Sequence, residues 1–295
     1  MLNFRAFYIV LPILFLSVFI TYNVNAQTFP DGLVGLSSAE PAVLYSIDAS
    51  NGIATPIVTL NAGASLAGLT YLNGTLYGSD LCIDPGCDVF FIGSISTGGI
   101  TAFLSNQNGS SDWLGLAADE GRNILYSIDY DNSEILTAQF LDGSVETIGS
   151  GVGFSAPGLE YDDTHGILYA ISSDWSLYTV STETGTATLI GPTGIPGSSG
   201  SLDIGLAYDE CNQILYLNAG QQFRQLYTLD VTTGAATLVG SNGVDDIIDG
   251  LAWKGRCGPN PIPTLSEWGM ISATVGLGFI GVFFAVRRRK AVVNL

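Results

Sequence analysis

Between about residues 30 and 255 the chain alternates short apolar runs with Gly, Asn, Asp and Thr clusters. In the stretch from Gly205 the runs are "GLAYD", "ILYLNA", "QLYTLDV" and "AATLVG". Their length and their turn residues predict four antiparallel strands. The third run alternates cleanly, with Leu226, Thr228 and Asp230 on one face and Tyr227, Leu229 and Val231 on the other. "ETG" at Glu183–Gly185 and "TTG" at Thr232–Gly234 supply a Gly where a tight hairpin needs positive φ.

This unit recurs. Copies open at Gly205, Gly158 and Gly115, a looser one at Gly68, and a fragment, "GLAWKG", at Gly250. The intervals are 47, 43, 47 and 45 residues, the length of a propeller blade. The first unit, Gly32 to Leu60, has three strands and lacks the opening one, while "GLAW" has the missing strand's sequence and no blade after it. Ring closure solves both: Gly250–Trp253 pairs with Leu33–Leu36 and completes the first blade. The prediction is an all-β, five-bladed β-propeller of four-stranded antiparallel blades, near 32–67 plus 250–255, 68–114, 115–157, 158–204 and 205–249. Closure also removes open sheet edges; an open solenoid with a dangling strand is the competing arrangement. Asp119, Asp162 and Asp209, four residues after their repeat Gly, read as caps of the following turn. With its "ILYxI…LYT(L/V)…TGxATL(I/V)G" units the domain resembles the broad class of secreted bacterial β-propellers. That resemblance implies a fold and no activity.

Both ends differ from this domain. Residues 1–26 carry one early cation, Arg5, an apolar core "AFYIVLPILFLSVFI", and small residues at Val24 and Ala26. They read as a signal peptide cleaved between Ala26 and Gln27. The propeller domain is then 27–257, followed by a Pro-rich linker, 258–261, and a tail, 262–295. In the tail "IPTLSEWG" (262–269) precedes 17 apolar or small residues (270–286) and the basic cluster "RRRK" (287–290). At 1.5 Å per residue the apolar run reaches about 26 Å, enough for a transmembrane helix through a thin bilayer.

Charge narrows the partners. Residues 27–261 hold 26 Asp and Glu against four basic residues, a net −22 that would repel phosphate backbones, so nucleic acid is not an expected partner. Four cysteines in an exported chain predict disulfides. Cys82 and Cys87, in "CIDPGC", could close a small loop. Cys211 and Cys257 then fall after the inner strands of the last and first blades, where a bridge would staple the seam.

Chemistry is harder to find. There is no G-x-S-x-G, H-E-x-x-H, phosphate loop or C-x-x-C, and His165 is the only histidine. Asp112, Asp203 and Asp249 lie one to three residues before a repeat Gly. Loops there crowd one mouth of a propeller, so these three are candidate calcium ligands, or acid and base on a sugar. Trp175, Phe223 and Arg224 occupy equivalent loops and are candidate glycan-stacking residues.

The tail carries the more specific resemblance. Ile262, Pro263, Thr264, Leu265, Trp268 and Gly269, with the span and basic cluster after them, resemble the IPTL-type carboxy-terminal sorting signal. It implies export, tethering in the inner membrane by the tail, recognition by an exosortase-like membrane enzyme, and a final place at the cell surface or outside. Together these predict a non-enzymatic, envelope-directed module binding a glycan or surface-matrix partner. A propeller hydrolase or lyase acting on carbohydrate or a lactone is the alternative.

Overall fold

The computed structural model describes residues 29–255, apart from 62, 65–67, 83–90, 98, 106–112, 131–133 and 198–201. The cleavage point at Ala26 and Gln27, the carboxylate Asp112, Cys87, Cys257 and the whole tail from Ile262 lie outside the described residues.

Five sheets make the fold. The first holds β1 (Gly32–Ser37), β2 (Val43–Ile47) and β3 (Ala54–Thr59). The second holds β4 (Gly63–Ala64), β5 (Leu69–Leu72), β6 (Thr75–Cys82), β7 (Phe91–Ser96) and β8 (Gly99–Ser105). The third runs β9 (Trp113–Asp119), β10 (Ile124–Asp129), β11 (Ile135–Phe140) and β12 (Val145–Ile148). The fourth is β13 (Gly158–Asp162), β14 (Ile167–Ile171), β15 (Ser176–Val180) and β16 (Ala187–Pro192). The fifth is β17 (Ile204–Asp209), β18 (Ile214–Ala219), β19 (Gln225–Leu229) and β20 (Ala236–Ser241), with one helical turn, α1 (Gly220–Phe223), between β18 and β19. The last strand, β21 (Ile248–Lys254), returns to the first sheet and pairs with β1.

That pairing closes a ring. Leu33 lies opposite Trp253 and Gly35 opposite Leu251, in the predicted antiparallel register. The inner strands β5, β9, β13, β17 and β21 each abut the next, and β21 abuts β5. Five apolar clusters fill the five gaps between neighbouring blades. This explains why β9, β13 and β17 are buried along their whole length, whereas β12 and β20 at the outer edge are largely exposed. Blade faces in the middle are apolar on both sides because each faces a neighbour. Leu226 packs toward the first blade while Tyr227 and Leu229 of the same strand pack toward the fourth.

The second blade departs from four strands. β6 is eight residues long and β5 only four, so β5 covers Thr75 to Gly78 and leaves the rest of β6 open. Gly63 and Ala64 fill that edge, opposite Cys82 and Leu81.

Glycine serves close approach as well as turns. At Gly205 a Cβ would sit 2.4 Å from the Asp249 carbonyl oxygen, so only a bare backbone lets β17 approach β21 at the axis. At the outer corner, a Cβ on Gly240 would meet the Asn51 carbonyl oxygen at 1.9 Å, because the turn of the first blade rests on the backbone of β20.

Candidate functional site

Where the inner strands end, the repeat places equivalent residues around the axis. Three residues after each repeat Gly stand Tyr71, Ala118, Tyr161, Tyr208 and Trp253; five after it stand Asn73, Glu120, Asp163, Glu210 and Gly255. All ten line one cavity of about 620 Å³, joined by Asp31, Glu160 and Lys254 among others. Deeper in, Leu69, Leu116, Leu159, Leu206 and Leu251 meet around the axis and leave no room for a water molecule. The cavity is therefore a cup, closed below.

Its rim is braced from blade to blade. The Asn73 N–H donates to Glu120 (3.0 Å), the Glu120 N–H to Asp163 (2.9 Å), and the Asp163 N–H to Glu210 (2.8 Å). The next position in this belt is Gly255, which has no side chain, so the belt stops at the seam. There Lys254 bonds the Phe29 carbonyl and pairs with Asp31 at 3.4 Å. The Asp one residue earlier does what the sequence predicts: Asp119, Asp162 and Asp209 accept the turn N–H groups of Arg122, His165 and Cys211. His165 reaches the Asp162 carboxylate at 2.7 Å with its side chain half exposed.

Glu160 stands apart. It is 8 % exposed, lines the cup and belongs to no belt, and its Oε2 has no hydrogen-bond partner. Burial, and after it the charge on Asp163, pushes its carboxyl well above the ordinary Glu range. Asp163 is itself pushed up to about 6, by burial first and then by Glu210 and Glu120. Two further residues of the cup, Tyr71 and Trp253, hold buried polar atoms without partners, the Oη and the Nε1. Buried polar groups in folded proteins are normally paired, and Glu160, which lines the cavity, carries one that is not.

The opposite mouth, where the inner strands begin, holds two of the carboxylates singled out from the sequence. Asp203 and Asp249 are buried, at 9 % and 2 % exposure, and Asp249 feels the charge of Asp203. Burial pushes both carboxyls up, Asp249 well above its ordinary range. Among the described residues no group of three or more His, Cys, Asp and Glu is placed to hold a metal ion; Asp112 is not among them.

The stacking residues come out differently from the expectation. Trp175 is 3 % exposed, meets Phe223 edge-on at 6.2 Å and belongs to the cluster between the fourth and fifth blades. Gly197 lies against its indole nitrogen. Arg224, in the left-handed region at φ 48°, ends α1 and is partly buried. The Trp175 ring fills the interface, with Phe223 partly buried against it. Sequence reasoning missed the cup, although "ADE", "DD" and "DE" after three inner strands carried its signal: the first Asp caps the turn, and the second acid forms the rim.

Cys211 is in a disulfide. The side chain of its partner lies outside the described residues.

No protein-family model and no curated protein matches the chain. Solved structures show the likeness of fold. A chain of a nidogen–laminin complex superposes with a TM-score of 0.51 at 13 % identity, over 76 % of this chain and 98 % of that one. A Bacteroides thetaiotaomicron protein of unknown function superposes at 0.49 and 13 % identity, over 78 % and 63 %. Myxococcus xanthus glutaminyl cyclase reaches 0.41 at 18 % identity, over 63 % and 69 %.

Proposed function

We propose that the chain is an exported, envelope-directed propeller whose cup binds a small ligand or the end of a larger one, without turning it over. The observation that carries this reading is Glu160, a buried carboxyl with an unpartnered oxygen, in a cup of about 620 Å³ closed at its base. Such a volume suits a ligand of a few rings. Among the described residues that line it there is no Ser, Cys or His to form a hydroxyl or thiol nucleophile with an imidazole base. The leader at residues 1–26 and the IPTL-like tail support delivery to the envelope, with an exosortase-like enzyme acting on the tail.

Screening the purified full chain against glycans and small polar metabolites tests the cup. Binding that weakens in Glu160→Gln is the expected result; ligands that bind with equal affinity to the variant would place the site elsewhere. Removing residues 262–295 should release the protein from the cells, and unchanged retention would exclude the tail as the sorting element.

One observation favours a second reading. A carboxyl biased toward its acid form beside rim carboxylates is the pairing that glycosidic cleavage needs. Product formation from a bound glycan, lost in Glu160→Gln, would move the protein from binder to hydrolase.

A further inference from the structure

We infer that the cup is built for an amino sugar, a sugar ring carrying a free ammonium group, and this rests on the proposed reading of the cup as a ligand site. Three observations converge on that class. The first is charge. Asp31, Glu120, Glu160, Asp163 and Glu210 line the cavity, and Lys254, already paired with Asp31, is the one cation among the described lining residues. A neutral sugar would leave this excess uncompensated; an ammonium group offsets it.

The second is the set of unpartnered atoms. Glu160 Oε2 accepts hydrogen bonds, Trp253 Nε1 can only donate, and Tyr71 Oη does either. All three are shielded while the cup is empty, and a ligand that pairs with them after a side-chain turn must bring both donors and acceptors. A simple polyamine brings donors alone, and a carboxylate ligand would meet the acidic rim. A ring with hydroxyls and one ammonium brings both kinds. The third is size and surface. About 620 Å³ is far more than a bare metal ion fills, and Tyr71, Tyr161, Tyr208 and Trp253, whose rings pack between the blades, contribute to its wall.

Binding should be linked to a proton. Glu160 faces Asp163 and Glu210 most closely, beside Tyr161, with Glu120, Asp31 and Lys254 elsewhere around the cup. Burial, and after it the charges of Asp163 and Glu210, favour its acid form. An ammonium group entering the cup reverses the local field, so Glu160 ionises and its proton leaves to solvent. The O–H bond of the acid breaks, and its electron pair stays on the carboxylate facing the ammonium.

The test is a matched pair of probes for the full chain: a glucosamine trimer and the N-acetylglucosamine trimer, which has the same rings without the charge. Titration calorimetry near pH 6, in two buffers of different ionisation heat, reads affinity and protons together. The glucosamine trimer should bind at least about tenfold more tightly than its acetylated twin and release a proton, tenfold corresponding to about 1.4 kcal/mol. Glu160→Gln should lose that preference and release fewer protons, Asp163 supplying what remains. Gly121→Arg adds a cation at a cup-lining surface position and should weaken the charged probe without touching the core. Equal binding of both trimers, weakened by Glu160→Gln, would overturn the ammonium and leave the cup as a ligand site. Binding of the charged trimer that both variants leave unchanged would mark diffuse attraction to an acidic protein and overturn the inference. If neither trimer binds but another ligand of the broader screen does so in a Glu160-dependent way, the amino sugar alone fails; if no ligand does, the cup reading fails with it.

Discussion

Leu33 and Trp253 sit opposite each other in the ladder between β1 and β21, joining the two ends of the ring. Leu251, two residues before Trp253, is 1 % exposed, packs in the cluster between the fifth and first blades and takes part in the leucine plug. Truncating it removes transfer energy and leaves a cavity at the closure. Leu251→Ala should lower the free energy of unfolding by about 2–5 kcal/mol in urea titration. A loss below about 1 kcal/mol would mean that closure contributes little to stability.

Gly240 tests the outer corner. Its missing Cβ is what allows the Asn51 carbonyl to rest on β20, so Gly240→Ala must push two blades apart. The expected cost is about 1–3 kcal/mol. Gly121→Ala, whose Cβ would meet only the Asp119 carboxylate at an ordinary 3.4 Å, should stay within about 0.5 kcal/mol of the parent. Similar costs for the two would remove the close-approach explanation.

Acidity should stabilise the protein down to a point. Glu160, Asp163 and Asp249 hold their protons more tightly folded than unfolded. Their contribution is complete below the unfolded carboxylate pKa of about 4 and is lost as pH rises through the folded values, about 6 for Asp163 and above the ordinary range for the other two. Asp48, Asp142 and Asp230 act in the other direction. Hydrogen bonds from Ser50, Ser144 and Thr232 lower their pKa values, so their contribution disappears as pH falls below the ordinary carboxylate range. Tm should therefore be higher at about pH 5 than at about pH 7.5, and Glu160→Gln should narrow that difference. A Tm that climbs steadily toward neutrality contradicts the assignment.

The disulfide at Cys211 offers a chemical readout of the seam. With Cys257 as its partner, peptide mapping without reductant should recover a Cys211–Cys257 cross-link. Cys257→Ser should then expose a titratable thiol at Cys211 and cost about 2–4 kcal/mol. A link from Cys211 to Cys82 or Cys87 would dismiss the staple.

Repetition made the fold legible. The Gly-Leu pair recurs at blade length because each inner strand must pass its neighbour closely and then plug the axis, and those two demands leave the same two letters in every copy. The missing first strand and the surplus last one gave the closure by subtraction. The cup was not legible, because its volume depends on five side chains from five distant segments considered together, as Ala118 among three tyrosines and a tryptophan illustrates. Trp175 misled for a related reason: a loop aromatic reads as exposed until the adjoining blade, here with Phe223, is placed against it. The short β4 answers an imbalance of strand lengths that no local pattern announces.

The described chain leaves the ring at Gly255, and Gly255 lies on the lip of the cup. Chain that continues from Gly255 therefore starts at the doorway of the basin and not at its floor, and a bulky group attached directly after it would crowd the way in.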